Sequence, residues 1–233
     1  MQDSVLVFDV WGDYAHFRKI YTTSSPLTYS FPPRTAISGI IGAIAGLGKE
    51  EYFRYFFREH ASIGCRILEP VKKVRIGENL IDTKNSMNEI KNRTQIRFEF
   101  LKDPRYRIYL RHSDERFFRD LKDMLEEHRC VYTPCLGLSQ LVCNFKLVGE
   151  LGMRRCGDEC QEINSVVPLR CILGSPEFEE GREYFSEVMP CVMGEGREVK
   201  DYSEILYERN GRSIRARTRD AWELDNGERI VFI

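Results

Sequence analysis

The order of the predicted secondary-structure elements indicates an α+β protein with a ferredoxin-like main domain. Residues 4–148 read as strand, helix, two strands, helix and strand, which is the ferredoxin-like order with an insertion between the second and third strands. Two segments carry apolar residues at helical spacing, and the segments around them alternate with the two-residue period of strands. Residues 151–233 read as short strands separated by turns, which predicts a small antiparallel β appendage.

The first predicted strand and the first predicted helix are separated by a loop. Residues 5–10 are mostly apolar and are followed by Gly12, which predicts a buried strand. Residues 16–33 are rich in Ser, Thr and Pro and predict the loop. The segment AISGIIGAIAGLG then places isoleucines at helical spacing, with a stop at Gly46 or Gly48. Its small residues predict that the helix lies very close to a sheet or to a bound ligand, because glycine inside a helix costs about 1 kcal/mol relative to alanine and close packing would compensate.

The middle of the chain predicts a short amphipathic helix at 49–60, then a hairpin, then a longer helix. The hairpin joins residues 93–101 to residues 105–112 through a turn at 102–104, since apolar and polar residues alternate on both sides. Ser113 is a good N-cap for the longer helix. Because side chains alternate along a strand, one hairpin face is predicted to be strongly cationic, and it contains Arg93, Gln95, Arg97, Arg105, Arg107, Tyr109 and Arg111.

The C-terminal part predicts a further strand from Gly137 and a second hairpin around Asn210 and Gly211, a pair typical of tight turns. The strand after that turn is predicted to place three arginines on one face: Arg215, Arg217 and Arg219. We therefore divide the chain into a main domain, 1–150, and a small β-rich subdomain, 151–233, with no Gly/Ser-rich linker between them.

Composition indicates a soluble, cytoplasmic protein. No apolar run reaches the roughly 18 residues needed to span a bilayer, and the first residues lack the basic start of a signal peptide. The eight cysteines are expected to be reduced thiols, because the cytosol keeps thiols reduced. Cys156 and Cys160 are spaced like the first two ligands of a zinc site, but no second close pair follows, so no metal or other cofactor is predicted.

The net charge of −1 conceals an asymmetry between the two halves of the chain. Residues 1–112 contain 18 Lys and Arg against 12 Asp and Glu, a net charge of +6, and residues 113–233 contain 17 against 24, a net charge of −7. This distribution predicts that the first half faces a polyanion and that the second faces water or protein partners. Ordinary variation in surface charge is the alternative explanation.

A resemblance to a known family begins in the N-terminal segment. Residues 9–48 contain Gly-Asp-Tyr-Ala-His-Phe-Arg, a loop with Ser-Pro-Leu-Thr-Tyr, then Pro-Pro-Arg-Thr and the glycine-rich helix. In this order they resemble the N-terminal signature of the CRISPR-associated Cas-five family of the RAMP superfamily, and TPCLGLSQLV from Thr133 resembles the later Leu-Gly segment of that family. The resemblance covers the N-terminal domain well and the C-terminal part poorly.

The resemblance implies an RRM-like RAMP domain with a β-hairpin thumb at about 71–101. It also implies a subunit of a type I CRISPR surveillance complex (Cascade), with the I-B branch as one candidate. Such a subunit is expected to hold the 5′ handle of the guide RNA, cap the row of backbone subunits and contact the large subunit. Target DNA would lie nearby through the complex.

Single-stranded RNA is held by cations that contact phosphates and by flat groups that stack on bases. Backbone N–H groups at a helix start can bind an oxygen as well. The first predicted RNA-binding cluster lies in the loop and helix start and consists of Arg18, Lys19, Tyr29, Phe31, Arg34, Thr35 and Ser38. The second predicted patch lies on the thumb and its flanking strands and consists of Lys72, Lys73, Arg75, Lys91, Arg93 and Arg97, with Arg111 at the end of the following strand.

The sequence leaves two other functions open. A metal-independent endoribonuclease needs an acid, a base and a charge-stabilising group, for which Tyr109, Arg111 and His112 are the candidates. Some relatives of the I-C branch process the guide precursor, but no Lys-His pair like theirs is seen here, so a non-catalytic role is predicted. A protein scaffold without RNA contacts would instead pair its cationic faces with acidic partners.

Overall fold

The computed structural model describes residues 4–22, 24–81 and 93–233 and is a sheet-rich α+β structure. In these ranges no helix is both long and apolar enough to cross a membrane. The helices are α1 (Arg34–Ala45), α2 (Tyr52–Tyr55) and α3 (Glu115–Glu126). The strands are β1 (Ser4–Trp11), β2 (Tyr14–Ala15), β3 (Ala61–Ile67), β4 (Lys73–Ile81), β5 (Arg93–Lys102), β6 (Arg105–His112), β7 (Asn144–Arg155), β8 (Cys160–Ile163), β9 (Val167–Pro168), β10 (Tyr184–Met193), β11 (Val199–Glu208), β12 (Ile214–Arg217), β13 (Ala221–Leu224) and β14 (Arg229–Val231).

A six-stranded antiparallel sheet with the order β14-β13-β7-β1-β6-β3 forms the centre of the structure. β1 is a central strand because it is apolar on both faces. Leu6, Phe8 and Val10 pack into the core shared with α1 and α3, whereas Val5 and Val7 pack on the opposite side. The alternation of side chains therefore defines a helix-covered face and a second face of this sheet, which we call the back face.

The helix α1 has the predicted position and end. Gly46 terminates it with a left-handed φ of 77°, a conformation that glycine adopts without strain. A Cβ atom on Gly42 would lie 3.2 Å from the Cβ of Tyr52. The close approach expected of this small-residue helix is made at Gly42 to α2, and the isoleucines of α1 pack into the core that it shares with the central sheet.

The single helix predicted at 49–60 is wrong, since only the one-turn helix α2 forms there. Continuing a helix would require the Phe56 carbonyl to accept from the N–H of residue 60. That carbonyl instead accepts from the Arg34 side chain at 2.7 Å, and the His60 N–H donates to Phe57. The Arg34 side chain therefore occupies a carbonyl that a helix continuing to His60 would need.

The hairpin predicted over residues 93–112 is also wrong, because its two strands enter different sheets. β5 pairs with β4 and β2, whereas β6 lies between β1 and β3. β6 has buried side chains on both faces, including Ile108 and Tyr109, and such a strand suits the middle of a sheet. β5 pairs instead with the strand before it, and β4 and β5 together form what we call the inserted hairpin. Residues 82–92, which include Lys91 and part of the predicted thumb, lie outside the described residues.

The capping residue of α3 lies one position later than predicted. Asp114, not Ser113, is the N-cap. Its carboxylate accepts hydrogen bonds from the N–H groups of Arg116 and Phe117 at 2.9 and 3.0 Å. A carboxylate at this position also interacts favourably with the positive end of the helix.

The second predicted hairpin does not form around Asn210 and Gly211. β11 pairs with β10 and β9, while β12 pairs with β8. Gly211 has a φ of 75°, and a Cβ atom there would lie 2.1 Å from the Ile67 carbonyl oxygen. The glycine is therefore needed for a close backbone approach to β3. The strand predicted from Gly137 begins later, at Asn144.

The C-terminal third of the chain shares the sheet and the core of the N-terminal part. β7 continues through the predicted division at 150/151, and β13 and β14 extend the central sheet. The outer edge of β3 is covered, because Val166 donates to the Cys65 carbonyl and Ile233 donates to the Ile63 carbonyl, both at 2.9 Å. The predicted division therefore does not coincide with a break in the sheet.

Candidate nucleic-acid interface

The inserted hairpin carries a row of exposed cations on one face. The pairing of Arg75 with Glu99 and of Gly77 with Arg97 places the odd-numbered side chains of β4 and β5 together. Arg75, Arg93 and Arg97 are exposed, and among the described residues no hydrogen bond or ion pair engages their side chains. We call the face that contains Lys73, Arg75, Arg93 and Arg97 the cationic hairpin face.

The base of this hairpin is attached to the loop that precedes α1. The Lys73 ammonium donates to the Thr28 carbonyl at 3.0 Å and lies 3.4 Å from the Glu99 carboxylate. The Thr28 N–H also donates to Glu99, at 3.3 Å. His16 donates from Nδ1 to the Glu99 carbonyl at 2.7 Å, and its ring contacts Phe98 and Phe100 on the other hairpin face. These contacts orient the cationic hairpin face relative to the loop.

Two cations of the first predicted cluster lie in that loop. Arg18 is exposed, and its guanidinium donates to the Thr22 carbonyl at 3.2 Å. Lys19 is half-buried, donates to Glu187 at 3.0 Å and lies 5.4 Å above the centre of the Tyr29 ring. Arg18 is therefore available to a phosphate, whereas Lys19 is already neutralised by a carboxylate.

The structure does not support the predicted phosphate contact of Arg34, because this residue is 2% exposed. Its guanidinium donates to the carbonyls of Phe56 at 2.7 Å, Ala61 at 2.8 Å and Cys191 at 3.1 Å. Burial, together with nearby Arg58, lowers the pKa of Arg34 to about 10, so the group is still charged at pH 7. Arg34 therefore holds three segments of the main chain together inside the protein.

The other predicted residues around Arg34 are buried as well, which is a second correction. Tyr29 is 2% exposed and Phe31 is completely buried, with its ring 5.3 Å from that of Tyr207. Thr35 and Ser38 are buried, and the Ser38 hydroxyl donates to the Arg34 carbonyl at 2.9 Å. The loop before α1 thus fills the core with its aromatic residues, and the start of α1 does not form an open cradle.

The remaining predicted cations lie in different places. Lys72 is exposed at the start of the inserted hairpin. Arg111 is half-buried on the back face of the central sheet, with its guanidinium 5.2 Å from the centre of the Trp222 ring. In the C-terminal part, Arg215 forms an ion pair with Glu177 at 2.9 Å. Of the second predicted patch, the fold brings together Lys73, Arg75, Arg93 and Arg97 on the cationic hairpin face.

The residues considered for endoribonuclease chemistry do not converge. Strand alternation places Tyr109 and Arg111 on the back face and His112 on the helix-covered face. Tyr109 is completely buried and donates to Glu228 at 3.1 Å, and burial with that carboxylate raises the pKa of its hydroxyl. His112 is 2% exposed, and both its ring nitrogens are engaged, by the Tyr55 carbonyl and by the Asp114 N–H. This group therefore lacks an accessible base.

Two buried histidines predict a loss of stability between pH 7 and pH 5. Burial lowers the pKa of both His16 and His112 in the folded protein. In the unfolded chain each histidine has a pKa of about 6.5. Above that pH the contribution of each histidine to the free energy of unfolding is fully present. As the pH falls from about 6.5 towards the lower pKa of the folded protein, the contribution decreases, because the unfolded chain binds the proton first. Urea unfolding at several pH values measures the effect. His112→Gln should reduce the pH dependence, and a free energy of unfolding that is constant from pH 7 to pH 5 would contradict it.

No group of three or more His, Cys, Asp or Glu side chains in the described ranges is arranged to hold a metal ion. Cys156 and Cys160 are half-buried free thiols, at the end of β7 and the start of β8. Cys160 donates to Glu177 at 3.3 Å.

The fold is that of proteins from CRISPR systems. A chain of a "CRISPR RNA-guided surveillance complex" is 11% identical, with 91% of this chain and 90% of that chain covered and a TM-score of 0.56. A CRISPR protein from Archaeoglobus fulgidus is 14% identical, with 97% and 98% covered and a TM-score of 0.55. A chain of the Type III-B Cmr-beta complex bound to cognate target RNA and AMPPnP is 10% identical, with 92% and 86% covered and a TM-score of 0.53. At these identities the likeness shows the fold alone.

The family is shown by a sequence comparison. The family model described as CRISPR-associated protein (Cas_Cas5) matches residues 5–175, well over half of the chain. The protein therefore belongs to this CRISPR-associated family, as the N-terminal motifs predicted. No curated protein sequence matches the chain. Membership of the family supports a role as a subunit of a CRISPR effector complex.

Proposed function

We propose that this protein is a non-catalytic, RNA-binding subunit of a type I CRISPR surveillance complex and that it holds the 5′ handle of the guide RNA on the cationic hairpin face. The observation that carries the proposal is the row of exposed arginines Arg75, Arg93 and Arg97 on one face of the inserted hairpin, which have no hydrogen-bond or ion-pair partner among the described residues. We interpret β7-β1-β6-β3 with α1 and α3 as a ferredoxin-like, RRM-like core and the inserted hairpin as its thumb.

The chemistry of the hairpin suits a ribose-phosphate strand. A guanidinium presents a planar set of donors that matches the oxygens of a phosphate. Exposed arginines without an acidic partner can exchange their water for phosphate at little cost, whereas Lys73 would first have to leave Glu99. Arg18 lies in the loop to which the hairpin base is attached and adds a further exposed cation. The handle would therefore run along the hairpin and past this loop.

In the complex, the subunit would cap the row of backbone subunits and contact the large subunit, with target DNA nearby. The net charge of −7 in the second half of the chain suits protein contacts better than RNA contacts. The I-B branch is one candidate for its origin. A cytoplasmic location fits these partners.

A comparison of two guide RNAs tests this proposal. A guide that carries its 5′ handle should bind the full chain at least about tenfold more tightly than a guide of the same length without the handle, because the handle supplies the contacted phosphates in a fixed conformation. Fluorescence anisotropy with each labelled RNA measures the difference. Assembly of the surveillance complex on both RNAs gives a second measurement. Equal affinity and equal assembly on the handle-less guide would disprove the assignment.

The same samples test the two alternatives. Repeat RNA incubated with the purified chain should stay intact. If the chain cleaved the RNA and His112→Ala abolished the cleavage, the protein would instead be an endoribonuclease. Ultraviolet crosslinking in the assembled complex should label peptides of the inserted hairpin. A chain that stays unlabelled there would favour a protein scaffold without RNA contacts.

A further inference from the structure

We infer that an open groove beside Trp11, at the end of the central sheet, binds one nucleotide of a single-stranded nucleic acid. The groove has a volume of about 500 Å³. The residues that line it come from the end of β1, from the end of α3 with the following turn, and from the start of β7: Trp11, Leu125, Glu126, His128, Asn144, Phe145, Lys146 and Leu147. This site is separate from the cationic hairpin face, although it rests on the proposed function in assigning a further contact to a nucleic-acid-binding subunit.

Two flat ring systems border the groove. Trp11 is half-buried, and its neighbour Arg105 lies with its guanidinium 5.5 Å from the centre of the Trp11 ring. His128 is exposed and stacks on Phe145, with 4.6 Å between ring centres and 21° between ring planes. Rings held in this way, with part of their surface open to solvent, offer stacking surfaces for a base.

The backbone of His128 supports a specific role for its ring. This residue has a φ of 51° just after the end of α3, a left-handed conformation that glycine adopts most often at the end of a helix. A side chain other than glycine or asparagine is disfavoured there by about 1 kcal/mol. The stack on Phe145 is one compensation, and it also fixes the imidazole at the border of the groove.

Asn144 brings a side-chain hydrogen-bond donor to the groove. Asn144 is exposed and pairs with Trp11 in the sheet register. Its side-chain oxygen accepts from the Phe145 N–H at 2.9 Å, so the orientation of the amide is determined by a donor that cannot reverse. The amide nitrogen is then directed away from that bond, and no hydrogen bond from it occurs within the described part of the chain. An amide group of this kind recognises the edge of a base.

The charges around the groove favour a phosphate. Lys146 is exposed and has no ion-pair partner within 4–22, 24–81 and 93–233. Arg105 is 46% exposed and is positioned by Asp9, which also binds Arg107 and is itself 5% exposed. Glu126 is the acid that lines the groove. Arg105 shares Asp9 with Arg107, so Lys146 is the lining cation that is available to a phosphate, and the combination of rings, amide and cation matches a nucleotide better than an apolar protein segment.

Tryptophan fluorescence tests the inference directly, because the chain has only two tryptophans, Trp11 and Trp222. In a Trp222→Phe variant, a 12-residue oligo(U) RNA or oligo(dT) DNA should quench the Trp11 emission as it binds. The RNA and DNA titrations show which strand the groove prefers. Trp11→Phe should largely keep the affinity, whereas Trp11→Ala should lose about tenfold, the effect of one lost stacking contact. Lys146→Ala should remove roughly one phosphate contact, which would lower the slope of log affinity against log salt concentration by about 0.7.

Matched variants separate this site from the hairpin. Arg75→Ala with Arg97→Ala should weaken binding of the handle but leave saturating quenching of Trp11 in place. Arg119→Ala, an exposed cation on α3, should change neither measurement. If Trp222→Phe does not fold, ultraviolet crosslinking of the wild-type chain to the same oligonucleotides should label the peptide that contains Asn144 and Lys146. The inference would be overturned if the oligonucleotide saturated the protein without changing Trp11 emission and without labelling that peptide. It would also be overturned if a protein subunit alone protected the groove.

Discussion

Replacing Arg34 with alanine is expected to lower the free energy of unfolding by about 3–5 kcal/mol while leaving the RNA affinity of the folded fraction unchanged. The side chain is 2% exposed, so alanine leaves a cavity where the guanidinium was. It also leaves the carbonyls of Phe56, Ala61 and Cys191 without their donor. Buried carbonyls that lose a partner destabilise a fold because they cannot regain water.

Two variants make the Arg34 prediction specific. Arg34→Lys retains the charge but not the planar set of donors, so it should restore only part of the stability lost in the alanine variant. Arg18→Ala, an exposed arginine in the same half of the chain, should change the free energy of unfolding by no more than about 0.5 kcal/mol. Urea unfolding and anisotropy with a handle-containing guide are measured on each variant. If the Arg34→Ala protein had normal stability but weakened RNA binding, the structural role of Arg34 would be contradicted and the predicted phosphate contact would be supported.

Reversing two charges on the inserted hairpin is expected to reduce affinity for the handle by about 100-fold or more at low salt. Arg75 and Arg97 lie on the same hairpin face and are exposed without partners among the described residues. Arg75→Glu with Arg97→Glu removes two attractive contacts and adds two repulsive ones. The slope of affinity against salt concentration should fall as well, since each lost phosphate contact accounts for about 0.7 in a single strand.

The helix α3 provides a control with the same change in net charge. Arg116 and Arg119 are exposed on α3, and reversing both changes the total charge of the protein by the same amount. Both double variants are compared at 0.1 M salt, where charges further than about 10 Å away are screened, so this control should retain most of the affinity for the handle if position matters. Equal losses in the two double variants would mean that only overall charge attracts RNA and that the cationic hairpin face is not a specific site.

Local sequence patterns predicted those elements whose structure depends on neighbouring residues. The isoleucine spacing and the stop at Gly46 correctly predicted α1, and the apolar run at 5–10 correctly predicted the buried strand β1. The partner of β5 could not be predicted in this way. Alternation shows which side chains share a strand face but not which strand lies beside it, so a two-sided strand such as β6 could be assigned to the wrong neighbour.

The sequence by itself determined the family, through motifs in the N-terminal segment, and the cationic character of the first half of the chain. Only the tertiary structure decided which cations reach solvent. Arg34 and Arg97 are the same residue type, yet Arg34 is enclosed by carbonyls from three separate segments while Arg97 is exposed on the inserted hairpin. The physical reason is that burial and neutralisation depend on residues far apart in the chain, and these meet only when the sheet and the loop before α1 pack together.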